Sequence, residues 1–300
     1  MKIAFIGLGN MGMPMALNLN KSKKIQLLGF DVNNHSVQKF KKLKGRVAKT
    51  LDEAFECDII ISCLPGPKQI KQIAVGKNKL IEKLSKNKIW IDCSTNSISC
   101  FNFLQKKLAK KINQFIDAPI SGGNIKAKSG ELSVFIGGSQ KLYKKTGFIF
   151  KILGKNLYYL GKHGAGYAAK IAQVSLCYLN YLSLSEALML GTKSGIRPQT
   201  MLQIIDKSAS GGYTSTRYGP DMINGSYDPS FTLGLSFKDL KLAKEIINLK
   251  NIKLPITKLT TSIYSKAIKK YGANSNHLNA IKLLEACLLY TSDAADDRMR

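Results

Sequence analysis

The segment KIAFIGLGNMGMPMALNLN, residues 2–20, constrains this chain more than any other. A short β-rich apolar run reaches Gly7, and an apolar-periodic helix over about 10–22 follows it. The glycines of Gly7-Leu8-Gly9-Asn10-Met11-Gly12 therefore stand in a strand–turn–helix, the context in which G-x-G-x-x-G binds a dinucleotide. Gly7 permits the tight turn, Gly9 lets a pyrophosphate approach the backbone, and Gly12 lets the helix pack close to the strand. The helix N-terminus then offers free N–H groups and a positive dipole end to the phosphates. Asp31 ends the next strand, IQLLGFD (25–31), where an acid accepts hydrogen bonds from both hydroxyls of the adenosine ribose. The same carboxylate repels a 2′-phosphate and no arginine adjoins it, so NAD is predicted over NADP.

Further apolar runs follow: CDIIISCLP (57–65), NKIWIDCS (87–94), QFIDAP (114–119), LSVFIGG (132–138) and NLYYLG (156–161). They alternate with helical segments, and several are apolar on both faces. This predicts an α/β chain whose N-terminal domain, 1–162, is a Rossmann-type doubly wound sheet. Leu64 and Pro65, which close the run over 57–65, are placed with the cofactor-binding residues. From Gly164 to Thr192 the sequence is helical and apolar nearly all round, which predicts a long interdomain helix over 163–192, buried between domains or subunits. On that basis a homodimer or homotetramer is expected. Helical segments near 198–208, 236–250, 255–270 and 276–289 predict an all-α substrate and oligomerisation domain over 193–289. The ending LLYTSDAADDRMR breaks the periodicity and is similar to translated adapter DNA; residues 290–300 are read as a non-native or disordered tail.

The net charge of +27 invites a nucleic-acid reading, but only five of the 46 basic residues are arginine. The lysines spread over solvated helix faces, as at Lys39, Lys41, Lys42 and Lys44, or Lys106, Lys107, Lys110 and Lys111. They are read as composition bias whose field attracts anionic cofactors and carboxylates. Six cysteines form no C-x-x-C pair and read as reduced thiols of a cytoplasmic protein. His35, His163 and His277 lie at no ligand spacing, so no metal is expected. No apolar run is long enough for a membrane span, and the N-terminus carries no signal-peptide pattern.

The motifs, in order, resemble the 3-hydroxyisobutyrate dehydrogenase family, also called β-hydroxyacid dehydrogenases. GLGNMGMPMALNL (7–19) is similar to the family's opening, DCSTNS (92–97) to its Ser/Thr motif near the nicotinamide, and DAPISGG (117–123) to its substrate loop. GAGYAAK (164–170) resembles its catalytic-helix start and FTLGLSFKDLKLA (231–243) its C-terminal signature. The resemblance implies a Rossmann domain, a long helix and a helical domain, and reversible oxidation of a small carboxylated β-hydroxy alcohol or reduction of its semialdehyde.

Hydride transfer leaves a proton to move, so one acid/base group is required. The resemblance gives that role to Lys170. A free lysine is too basic to be neutral at pH 7, and burial, neighbouring lysines and a positive nicotinamide would lower its pKa. The alternative is one more surface lysine, against which its Ala-rich, glycine-led context argues. Ser121, Gly122 and Gly123 offer backbone N–H groups and a hydroxyl to a substrate carboxylate, or form a flexible turn. Thr95 follows a strand C-terminus, near nicotinamide and substrate by resemblance, or caps the helix beginning near Ser97. Lys238 and Asp239 stand at a predicted helix start. By resemblance Lys238 reaches cofactor and substrate and Asp239 assists the proton-transfer lysine; Asp239 is otherwise ordinary dipole compensation. Phe231 walls the pocket or packs in the core. One departure stands out: the family's substrate-holding Asn, one turn after the lysine, is Val174 here, and neighbouring Gln173 is the candidate to replace it. The alternatives are an NADPH-dependent semialdehyde or imine reductase of the same fold and, in another class, a catalytically inert dinucleotide-binding or nucleic-acid-associated protein.

Overall fold

The computed structural model describes residues 1–225 and 231–287, so the tail read as non-native over 290–300 lies outside the described residues. The chain divides into two compact units, Met1–Ile171 and a second beginning at Ala172.

The first unit is built on nine strands: β1 (Lys2–Ile6), β2 (Gln26–Phe30), β3 (Arg46–Val47), β4 (Ile59–Ser62), β5 (Ile89–Asp92), β6 (Phe115–Asp117), β7 (Ile120–Ser121), β8 (Leu132–Gly137) and β9 (Gly154–Gly161). Their order is β3-β2-β1-β4-β5-β6-β8-β7, with β9 paired to β8. β3 through β6 run parallel, whereas β8 is antiparallel to β6 and β7. The central runs are apolar on both faces because successive residues enter opposite cores. Ile59 and Ile61 join one cluster with Ile3, Phe5, Ile89 and Ile91, while Ile60 joins another with Ile6, Trp90 and Phe115.

Covering helices are α1 (Gly12–Asn20), α2 (Asn34–Lys42), α3 (Leu51–Phe55), α4 (Pro67–Val75), α5 (Leu80–Lys83), α6 (Ile98–Leu108), α7 (Gly123–Ser129) and α8 (Gln140–Leu153). The chain leaves β1 for β2 and β3 on one side and returns to β4 on the other. That makes the gap between the C-terminal ends of β1 and β4 the switch point where open α/β sheets bind ligands.

Helix α9 (Ala165–Lys193) has its first turns in this unit and the rest in the second. The second unit continues with α10 (Pro198–Asp206), α11 (Tyr213–Asn224), α12 (Leu233–Lys250), α13 (Pro255–Tyr271) and α14 (Lys282–Cys287). Tyr178, Leu182, Leu233, Leu240 and Tyr264 are among the side chains of its core. Periodicity did not reveal α11, whose interior holds Gly219 and Pro220. Packing overrides that weak propensity: a Cβ on Gly219 would come within 2.4 Å of Leu202. Helix α12 begins at Leu233 rather than near 236 because the Thr232 hydroxyl caps it, accepting the Leu235 N–H at 3.3 Å. Among the described residues no helix is long and apolar enough to cross a membrane.

Candidate nucleotide and proton-transfer site

Parallel strands bring their C-terminal ends to one edge, and most of the predicted site residues of the first unit lie there. The glycine turn follows β1, Asp31 follows β2, Leu64 and Pro65 follow β4, and Thr95 follows β5. Gly7 has φ +100°, and a Cβ on it would stand 2.2 Å from the Cys63 carbonyl oxygen. One on Gly12 would stand 1.8 Å from the Gly7 oxygen. These two glycines serve the protein's own packing. Gly9 differs: a Cβ there meets nothing within 4 Å. The fold makes no use of the missing side chain, and the open backbone lies at the entry to α1, whose first N–H groups no side chain caps. A cradle of this kind fits the pyrophosphate of a dinucleotide.

Asp31 is anchored to that turn. Its Oδ2 accepts the Leu8 N–H at 2.6 Å and its Oδ1 the Asn33 N–H at 2.8 Å. Each carboxylate oxygen has a second lone pair, so acceptor capacity for ribose hydroxyls is kept. Asn124, which the sequence reading passed over, donates its amide to the Asn10 carbonyl and ties the entry of α7 to the glycine turn. Ser121, Gly122 and Gly123 lead into that helix. Gly122 and Gly123 have φ +128° and +69°, so neither position suits another residue.

The Leu64 N–H reaches the Ser94 hydroxyl at 2.8 Å, joining the ends of β4 and β5. Thr95, half-buried beside it, is not the cap of α6. That cap is Ser97, whose hydroxyl accepts the Cys100 N–H at 2.9 Å. Lys170 is 8% exposed, near the start of α9, so it is not a solvated surface lysine. Burial pushes the nearby Asp117 carboxyl up to about 7, against the backbone N–H of Gly164 first among the hydrogen bonds that oppose it. Asp92 is raised for the same reason, against hydrogen bonds from Ser94, Tyr167 and Ser62.

In the second unit Lys238 and Asp239 lie in the second turn of α12, not at its start, so dipole compensation does not explain Asp239. Its buried carboxylate accepts the Tyr178 hydroxyl at 2.8 Å and pairs with the Lys238 ammonium at 2.9 Å. Burial, followed by the charge of Asp239, raises the Tyr178 phenol well above its ordinary range. Gln173 directs its amide to the Cys177 sulfur at 3.2 Å, and Val174 belongs to the helical core. Phe231 packs at 5.6 Å from the His277 ring. Among the described residues no cluster of His, Cys, Asp and Glu could hold a metal ion.

Comparison with known proteins adds a family match to each part of the chain. The family model for the NAD binding domain of 6-phosphogluconate dehydrogenase matches residues 2–161. That for the NAD-binding region of NADP-dependent 3-hydroxyisobutyrate dehydrogenase matches residues 164–284. The chain is 33% identical to the 2-(hydroxymethyl)glutarate dehydrogenase of Eubacterium barkeri, over 88% of each chain. It is 30% identical to the 2-hydroxy-3-oxopropionate reductase of Escherichia coli (strain K12), over 95% of this chain and 97% of that one. A solved structure of Mycobacterium tuberculosis 3-hydroxyisobutyrate dehydrogenase with L-serine has a TM-score of 0.85 at 24% identity, covering 94% of this chain and 98% of that one.

Proposed function

The chain belongs to the 3-hydroxyisobutyrate dehydrogenase family of β-hydroxyacid dehydrogenases, and from that premise we propose that it oxidises a small β-hydroxy acid, or reduces the matching semialdehyde, with NAD and with Lys170 as the proton carrier. It is an oxidoreductase acting on CH–OH donors. The observation that carries the finer reading is the pairing of an open Gly9 cradle with a buried Lys170 in the same unit. When bound, the nicotinamide accepts or supplies the hydride. The Lys170 amine takes the alcohol proton during oxidation and returns it during reduction. In the first unit Ser121, Gly122 and Gly123 hold the substrate carboxylate and Thr95 contacts the substrate; of the second unit, Gln173, Phe231, Lys238 and Asp239 are proposed as substrate-binding residues. Asp31 favours NAD, because its carboxylate is fixed at the turn where a 2′-phosphate would have to sit. Substrates of the 3-hydroxyisobutyrate and tartronate semialdehyde type head the panel.

The test is a steady-state assay of that panel with NAD and with NADP, on wild type and Lys170→Ala, alongside NADH binding followed by fluorescence. The variant is expected to keep its NADH affinity and to lose turnover by about 10²–10⁴-fold. Wild-type turnover in the variant refutes the role of Lys170. The chain is also proposed to form a homodimer or homotetramer, on the strength of Leu176 and Leu190, 56% and 72% exposed on α9. Sedimentation as a monomer at micromolar concentration overturns that.

A further inference from the structure

The first turn of α9 is held by two buried carboxylates that arrive from the sheet. Asp117 ends β6 and accepts the Gly164 N–H at 2.7 Å and the Tyr167 N–H at 3.2 Å. Asp92 ends β5 and accepts the Tyr167 hydroxyl at 2.5 Å. The two acids are register partners on neighbouring strands, and neither has any exposed surface. Tyr167 is thus gripped at its main chain by one and at its phenol by the other. Asp92 also accepts the hydroxyls of Ser62 at 2.8 Å and Ser94 at 2.6 Å, and Ser94 in turn accepts the Leu64 N–H. The network therefore runs from the end of β4 to the start of the helix.

Glycines make the space. A Cβ on Gly137 would lie 2.6 Å from both Asp117 carboxylate oxygens, and one on Gly166 would lie 2.8 Å from Oδ2 and 2.3 Å from the Phe135 oxygen. Burying two carboxylates is unfavourable, as the upward push on both acids records. A buried ionisable pair is often no more stabilising than apolar residues of similar volume, which points to orientation as its use. Lys170 lies three residues beyond Tyr167, one turn further along the same helix.

We propose that Asp117 and Asp92, acting through Tyr167, are positioning residues that set where α9 places the Lys170 amine. This rests on Lys170 as the proton carrier; neither acid touches substrate in it.

Tyr167→Phe keeps the ring, which packs edge-on to Phe101, and deletes only the hydroxyl. Its kcat per NADH-binding site is expected to fall at least about tenfold, with KM and NADH affinity unchanged and faster hydrogen exchange over residues 164–171. A merely structural role would lower the folded fraction and leave kcat per site alone. Asp117→Asn is the second variant, with the same expected readouts. Wild-type kcat in whichever of them folds overturns the proposal. Should neither fold, wild-type native-state exchange decides. The amides of Gly164 and Tyr167 are expected among the slowest of the first unit, and exchange as fast as that of exposed turns overturns the anchor. Absence of wild-type turnover on every hydroxy acid with both nucleotides refutes the hydride-transfer reading instead, and the anchor then stands or falls by exchange.

Discussion

Helices α1 and α9 begin within the same unit and face the same demand, since the first N–H groups of any helix lack intrahelical partners and gather positive potential. They answer it in opposite ways. At α9 the chain supplies its own acceptor: the Asp117 carboxyl takes the N–H groups of Gly164 and Tyr167, and Gly137 and Gly166 stay bare so that it fits. At α1 no side chain caps the helix, and the backbone at Gly9 opens onto empty space. A filled N-terminus fixes geometry, and an open one receives a ligand.

The filled end offers the larger test. The Asp117 carboxyl is pushed up to about 7 by burial, while in the unfolded chain it titrates near 3.8. Between those values the folded state holds a proton that the unfolded state has lost, so the stability due to this group falls as pH rises from about 4 to about 7 and is level above. Asp117→Asn lacks that fall. Urea unfolding across this range is expected to show the variant gaining on wild type by about 4 kcal/mol. Parallel curves would mean that Asp117 is charged throughout and the plug is an ordinary ionised cap.

The open end gives smaller, paired effects. Gly12→Ala forces a methyl group onto the Gly7 carbonyl and is expected to lower stability by about 2–3 kcal/mol and abolish NADH binding. Gly9→Ala is expected to leave the melting temperature unchanged and weaken NADH by about tenfold. Loss of stability in Gly9→Ala, or unaltered NADH binding, would remove the distinction between the two helix ends.

The glycine turn, the alternation of strands and helices, the acid at Asp31 and the long helix from Gly164 were legible in the sequence. Each depends on short-range sterics or periodicity, which neighbouring residues write for themselves. The runs FIDAP and WIDCS each carry a single acid at the end of an apolar strand, and that was the available sign of a buried carboxylate. Their shared grip on Tyr167 was not legible. Asp117 and Asp92 lie 50 and 75 residues away from it in sequence. Helix α11, the capping of α6 by Ser97 and the engagement of Asp239 by Tyr178 were likewise settled by partners distant in the chain or by a competition between adjacent caps. Local propensity determined which segments could be strands and helices. The tertiary structure decided which polar groups were buried together, because a carboxylate can be taken out of water only where folding has already gathered its donors.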